Sequence, residues 1–388
     1  MTEDTLPHPR LPPVGYNSGM ETQIHAGWPR VFHQFFPPPK FLEMPAVGLD
    51  ISESAVCALE LIRRRGAFAV GRAGRRPLPP GVIVGGQVTD ADAVVGALRA
   101  LKEELRLDFV NASLSEEKAY LFETRIPRLS RKEIRGALQF KLEENVPIPA
   151  ADAVFDYTVI ERAGHEAAEH LEVSVTVLPR ATVETYTNIL ARAALVPLSF
   201  EIEAQAIARA VIAQGDWEAH LVVNLGETKA GLFIVSNEVV HFTSTITLGG
   251  DAVAWKMEKR LSRDRAEAAR LKEAQTAAAG QRGAPVFPSF SGALSALETE
   301  VNKLSLYWQT HPVSGGETKK PFASVIFTGR GSALPGFDDS LSLALGIPVA
   351  VGNVWRNAFS FDEYIPPIRF ADSLDYAAAV GLALPKLH

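Results

Sequence analysis

A strand, a short polar turn and a second strand occur twice in this chain, in widely separated places. Ala46-Val47-Gly48-Leu49-Asp50-Ile51 passes through Ser52-Glu53-Ser54 into the apolar run Ala55 to Ile62, and Leu221-Val222-Val223-Asn224-Leu225 passes through Gly226-Glu227-Thr228 into Ala230 to Val235. Apolar runs of this length bounded by turn residues read as strands. At 388 residues the chain is longer than one core usually serves, so two or three lobes are expected, with one hairpin in each of two similar halves.

Composition is that of a folded protein, with 47% hydrophobic and 22% charged residues. A net charge of −6 argues against a general attraction to phosphate backbones or anionic lipid, so nucleic acid is not an expected partner. The one cysteine, Cys57, allows no intrachain disulfide and no Cys-rich metal site, which suits the cytoplasm. It lies in an apolar strand and reads as a buried small residue, not a nucleophile. No stretch approaches the roughly 18 to 20 apolar residues that span a bilayer, and the N-terminus lacks a basic start followed by an apolar run. The expectation is a chain with no standard export signal and no direct membrane insertion. The histidines show no metal spacing, and neither Gly-x-Ser-x-Gly nor a Walker-type Gly-x-x-x-x-Gly-Lys occurs, so no hydrolase triad or P-loop is expected.

Residues 1–44 are Pro-rich without regular period and read as an extended arm. From Asp90 to Leu105, Val94, Leu98, Leu101 and Leu105 recur at helical spacing behind a capping Asp. A strand ending at Ile126-Pro127 leads to Ser130-Arg131-Lys132-Glu133, a capping box that opens a helix running to about Asn145. Strand-like alternation at Val154 to Ile160 and Leu171 to Leu178, then a helix from about Ala181 to Leu195, complete a strand, helix, strand, strand, helix unit. The charged stretch Trp255 to Gln275 is helical in composition and runs into an Ala/Gly-rich connection at 276–284, followed by a helix from Leu294 to Gln309. Ser324-Val325-Ile326-Phe327 is a strand that ends in Thr328-Gly329-Arg330-Gly331-Ser332, and a small-residue helix from Tyr376 to Leu384 closes the chain.

Hairpin turns with free N–H groups and hydroxyls bind phosphates where small residues let the backbone come close. Ser52, Ser54, Gly226 and Thr228 supply such groups, and two turns from two lobes can grip a triphosphate from opposite sides. Asp50, at a strand end, can position Mg²⁺ through water. In their order, Gly48 to Leu61, Val222 to Val235 and Ile326 to Phe337 resemble the phosphate-1, phosphate-2 and adenosine motifs of actin-like ATPases. Arg125-Ile126-Pro127 with Arg131-Lys132-Glu133-Ile134, Glu143 to Pro149, Thr247-Leu248-Gly249-Gly250-Asp251 and Ala379-Val380-Gly381-Leu382-Ala383 narrow the resemblance to the PilM family of type IV pilus assembly proteins.

That resemblance, over about residues 46 to 386, implies an α/β, two-lobed actin-like (ribonuclease H-like) ATPase fold with an inserted α+β subdomain. It implies a first lobe at 45–217 with the insert at about 120–194, and a second lobe at 218–388 with a helical subdomain at about 251–320. It implies ATP and Mg²⁺ as cofactors, with phosphate and metal contacts from Asp50, Ser52, Glu53, Ser54, Asn224, Gly226, Glu227 and Thr228, and ribose and base contacts from Gly250, Glu267, Arg270, Gly329, Arg330, Gly331 and Ser332. The implied partners are the N-terminal tail of a PilN-like inner-membrane protein and other pilus assembly proteins, met at the inner face of the cytoplasmic membrane. Four positions depart from the family pattern: Ser52 for Gly, Cys57 for Lys, Asn224 for Asp, and Arg330 within a Gly run. An amide at 224 cannot hold a metal's water shell by charge, so weak or absent ATPase activity is expected. Glu201 and Glu203, at a strand-to-helix junction, are the candidates for activating water, with Glu201 favoured. The competing readings are an FtsA-like cell-division filament protein, which would carry a C-terminal amphipathic helix, and a sugar or acetate kinase, which would need a catalytic Asp with no counterpart here.

Overall fold

Each hairpin forms the centre of a five-stranded sheet, because the strands that flank it return parallel to its first strand. In a computed structural model of the chain, residues 47–64, 67–160, 170–226, 229–247, 291–311, 319–332 and 337–385 are described. The expected arm at 1–44, the expected helix Trp255 to Gln275 and the connection at 276–284 lie outside the described residues, as does most of the expected helical subdomain.

In the first sheet β1 (Val47–Ile51) pairs antiparallel with β2 (Ala55–Arg64), with Asp50 opposite Cys57, and β2 pairs antiparallel with β3 (Ala67–Pro77). Helix α1 (Ala91–Leu105) carries the chain back to β4 (Phe109–Leu114), which lies parallel to β1. Asp90 caps α1 by accepting from Ala93 N at 3.0 Å.

An antiparallel three-stranded unit follows, with β5 (Tyr120–Pro127) and β6 (Ala153–Val159) on either side of β7 (His170–Pro179) and α2 (Arg131–Asn145) packed on them. The capping box that opens α2 is formed, with Glu133 Oε2 accepting from Ser130 N at 2.9 Å. This unit has its own core of Ile126, Leu138, Leu142, Val173, Val175 and Val177. The next helix, α3 (Arg180–Arg192), turns its Val183, Tyr186, Ile189 and Leu190 into the core of the first sheet instead. Strand β8 (Val196–Ile202), parallel to β4, completes the sheet in the order β8-β4-β1-β2-β3, and α4 (Glu203–Val211) follows directly.

The second sheet repeats the plan. Strands β9 (His220–Leu225), β10 (Lys229–Ser236) and β11 (Val239–Thr247) are antiparallel neighbours, while β12 (Ser324–Thr328) and β13 (Val349–Val351) lie parallel to β9. The order β11-β10-β9-β12-β13 is that of the first sheet under the same connectivity. Helices α5 (Ser291–Thr310) and α6 (Phe337–Leu345) serve its outer face.

Strand alternation in β9 divides its side chains between two cores. Leu221, Val223 and Leu225 join Leu297, Val301 and Trp308 of α5 in one, while Val222 joins the core shared with the first sheet. That shared core is filled by α4 and by α7 (Ala377–Ala383), both rich in alanine. Only small residues allow the two helices to come so close: a Cβ at Gly381 would stand 1.7 Å from the Ala206 carbonyl oxygen. Gly381→Ala is therefore expected to cost about 3 kcal/mol in urea unfolding, since a backbone atom cannot swing away. Gly96→Ala, on the open face of α1 where nothing lies within 4 Å, is expected to stabilise by up to about 1 kcal/mol. Equal effects from the two changes would contradict this packing.

Candidate functional site

The facing strand ends of the two hairpins meet across a cluster of carboxylates. Asp50, near the end of β1, is 5% exposed and accepts a 2.7 Å hydrogen bond from Ser113 Oγ of β4, whose oxygen in turn accepts from Ile51 N. The end of β9 supplies Asn224, which donates through Nδ2 to Glu203 Oε1 at 2.8 Å and accepts from Thr328 Oγ1 at 3.3 Å. Glu203 opens α4, partly exposed as a residue but with its carboxyl drawn into the cluster. Glu116 and Glu117 come from the single 3-10 turn after β4, and Glu53 from the first hairpin.

Lys229, the first residue of β10, joins the two halves. Its Nζ donates to Glu53 Oε1 at 2.8 Å and to both Glu117 oxygens at 3.0 Å. Glu53 Oε1 also accepts from Gly85 N at 2.7 Å.

Crowding of buried acids shifts their protonation. Burial pushes Asp50 up to about 6, against the Ser113 bond and with the help of Asp375. Burial also pushes Glu116 up to about 7, opposed by its own backbone N–H and aided by Glu117 and Asp50. Glu203 lies well above the usual carboxylate range through burial and the nearness of Glu116, Asp50 and Glu117, the Asn224 bond pulling the other way. Burial works against the Lys229 ammonium, but Glu53 and Glu117 hold its pKa above the ordinary lysine value. Tyr186 of α3 is raised by burial and then by Asp50, Glu203 and Glu53. Its hydroxyl and Glu116 Oε2 are buried polar atoms with no hydrogen-bond partner. Such orphans are costly and mark a place for a polar ligand or water.

The third loop of the site follows β12. Gly329 has φ +79°, and a Cβ there would lie 2.4 Å from Leu225 O and 2.6 Å from Asn224 Oδ1, so glycine is required for the close pass behind the second hairpin. Arg330 Nε donates to Asp375 Oδ2 at 2.9 Å, and Arg75 Nε approaches the same oxygen at 3.4 Å.

Of the residues proposed from sequence, Asp50, Glu53, Asn224 and Gly226 are brought to this meeting of the hairpins, and Gly329 passes behind it. Ser52 uses its hydroxyl within its own turn, donating to Ala55 O at 3.0 Å, and Ser332 does likewise with Gly329 O at 2.6 Å. Ser54 accepts from Leu78 N through its carbonyl at 2.8 Å, and Gly331 is buried. Glu201 is held by Arg209, which also donates to Gly381 O at 2.7 Å, so Glu203 is the junction carboxylate bonded to the second hairpin. Glu227, Thr228, Gly250, Glu267 and Arg270 lie outside the described residues. Sequence reasoning missed Glu116, Glu117, Tyr186 and Lys229. Only the Glu116-Glu117-Lys118 run could have hinted at the first two.

Asp50, Glu116 and Glu203 offer the oxygen donors that Mg²⁺ prefers, and the orphan Glu116 oxygen suits a hydrated cation. Among the described residues no three His, Cys, Asp or Glu side chains form a group that could hold a metal ion directly.

Two sheets of identical order, sharing a core through α4 and α7 and linked at their hairpins by Lys229, define an actin-like fold of the ribonuclease H-like group. Residues 48–387 match the model of the type IV pilus assembly protein PilM, and the chain belongs to that family. Among solved structures it is similar to the PilM-PilN type IV pilus biogenesis complex, with TM-score 0.63 and 20% identity over 88% of this chain and 98% of that one. Weaker likeness extends to the ethanolamine utilization protein EutJ from Carboxydothermus hydrogenoformans, with TM-score 0.45 and 14% identity over 88% of this chain and 89% of that one. MreB5 of Spiroplasma citri bound to ADP gives TM-score 0.40 and 12% identity over 81% and 93%. The family match favours pilus assembly over the FtsA-like alternative.

The raised carboxyls predict an unusual pH dependence. Groups whose pKa is higher in the folded chain support the fold fully below their unfolded range near pH 4, and that support is lost as pH rises through about 6 to 7. Glu116→Gln, which keeps the shape and removes the charge, is expected to raise the thermal midpoint at pH 8 and to change it little at pH 5. A larger gain at pH 5 than at pH 8 would contradict the assignment.

Proposed function

We propose that this chain is a nucleotide-dependent adaptor of type IV pilus assembly, acting in the cytoplasm at the inner face of the membrane. No helix among the described residues is long and apolar enough to cross a membrane, so recruitment through a partner's tail fits the family's role. The partner is a PilN-like inner-membrane protein, as in the complex this fold is similar to. The α2 and β5-β7-β6 unit is the surface offered to that tail, since it has its own core and touches the second lobe through the His241 and Glu123 pair. ATP with Mg²⁺ enters between the hairpins.

One observation carries this reading: Asp50, Glu53, Glu116, Glu203 and Asn224 come from the two halves to one cluster that holds buried orphan polar atoms. These four carboxylates repel free triphosphate, so the nucleotide enters with its metal, whose charge offsets both. Mg²⁺ would be held by Asp50 and the Glu116 and Glu203 carboxylates through water, and its role is to neutralise phosphate charge. Asn224 supplies an amide where the family pattern has a carboxylate, so turnover is weak and binding is the useful event. A ligand closes two lobes only by binding the closed form better, so nucleotide should tighten the tail's binding.

Titration calorimetry with Mg·ATP tests the reading. The wild type is expected to bind with micromolar affinity, Asp50→Ala to lose about tenfold or more, and a PilN-like tail peptide to bind more tightly when Mg·ATP is present. No heat and no thermal shift from folded wild-type protein would overturn the nucleotide half. Peptide binding indifferent to nucleotide would overturn the coupling.

A further inference from the structure

Lys229 is the one basic residue in either hairpin tip, taken as residues 50–57 and 222–231. It stands at the root of the second turn, where Gly226 N donates to its carbonyl at 2.9 Å. Its side chain does not run along its own sheet. It crosses to the first lobe, where Glu53 lies in the opposing turn and Glu117 beside it. The Lys229 side chain is 26% exposed and those of its partners 30% and 21%, so the triad opens to solvent and can exchange partners without stranding a charge in a dry interior. The Ser52 and Ser332 hydroxyls are committed to their own turns, and Arg330 is paired with Asp375. Among the described residues, Lys229 is therefore the cation that a polyphosphate between the two hairpins would meet.

We propose that Lys229 reads the phosphates: without ligand it clasps the two lobes through Glu53 and Glu117, and with nucleotide it transfers to the polyphosphate. This rests on the nucleotide reading above and adds to it the residue that discriminates by phosphate number. A compact ammonium follows charge density, so it favours the di- and triphosphate over the monophosphate. Nucleotide then exchanges one interlobe link for another, and the lobes stay joined through the exchange.

Calorimetry with Mg·ATP and with AMP on wild type, Lys229→Met and Lys229→Arg, together with hydrogen exchange at 48–56, tests it. Lys229→Met is expected to weaken ATP on the order of tenfold while leaving AMP within about twofold, and Lys229→Arg to recover most of the loss. Without ligand, Lys229→Met is expected to speed exchange in the first hairpin. Wild type that binds ATP, with Lys229→Met unchanged or weakened equally for ATP and AMP, would overturn the inference alone. Wild type that binds neither nucleotide would overturn the nucleotide reading and the phosphate role together, and unchanged exchange in Lys229→Met would overturn the clasp.

Discussion

The contact of α4 with α7 is what the rest of the structure hangs on. Ala204, Ala206, Ala208 and Ala210 on one helix and Ala377 to Ala383 on the other are all buried, and the pair fills the core between the two sheets. Its thickness sets the distance between β1 and β9. Arg209 fastens the contact from the side, pairing with Glu201 of β8 and donating to the Gly381 carbonyl. Because close-packed interiors transmit small volume changes, a bulkier residue in this layer would separate the hairpin tips and carry Lys229 away from Glu53. Alanine and glycine in these two short helices thus decide an electrostatic geometry several layers away.

That geometry concentrates like charge in a place of restricted solvent. Burial disfavours ionisation of Asp50, Glu116 and Glu203 most of all; Asp50 adds to the effect at Glu116, and Glu116 and Asp50 add to it at Glu203. The fold tolerates this through specific donors: Ser113 for Asp50, Asn224 for Glu203 and Lys229 for the pair Glu53 and Glu117. Glu116 Oε2 has no such donor. Clusters of this kind are typical of functional sites, where the cost of holding charges together is offset when a ligand arrives.

The parts of the fold legible in sequence were those decided locally. Apolar runs with polar turns gave both hairpins, and Ser130 with Glu133 gave the start of α2 because a capping box is complete within four residues. Strand β3 was not legible, since Gly71, Arg72, Gly74, Arg75 and Arg76 break the alternation that marks a half-buried strand, and it holds only by pairing with β2. The helix at Arg180–Arg192 was legible as a helix, but its membership of the first core was not, because the packing partner of an apolar face is a tertiary fact. The site divides the same way. Asp50 and Asn224 sit at strand ends and could be read, whereas Glu116, Glu117 and Tyr186 reach the carboxylate cluster only through the sheet order. Glu201 and Glu203 show the limit most sharply. Alternation puts residues two apart on one face of a strand, but the chain turns from β8 into α4 between them, so one meets Arg209 and the other Asn224.

Asn224 changes the meaning of its neighbours. A carboxylate at that position would lie within hydrogen-bond distance of Glu203 and add repulsion to a cluster that already holds its protons tightly. The amide instead donates to Glu203 and accepts from Thr328, so it fixes the orientation of both. Removing a negative charge here and placing Lys229 five residues on shifts the second hairpin toward anion binding. The same shift withdraws the charge that would order a metal's water shell for attack on phosphate. In the adaptor reading these are one adjustment: a cleft that holds a charged nucleotide longer because it does less to break it.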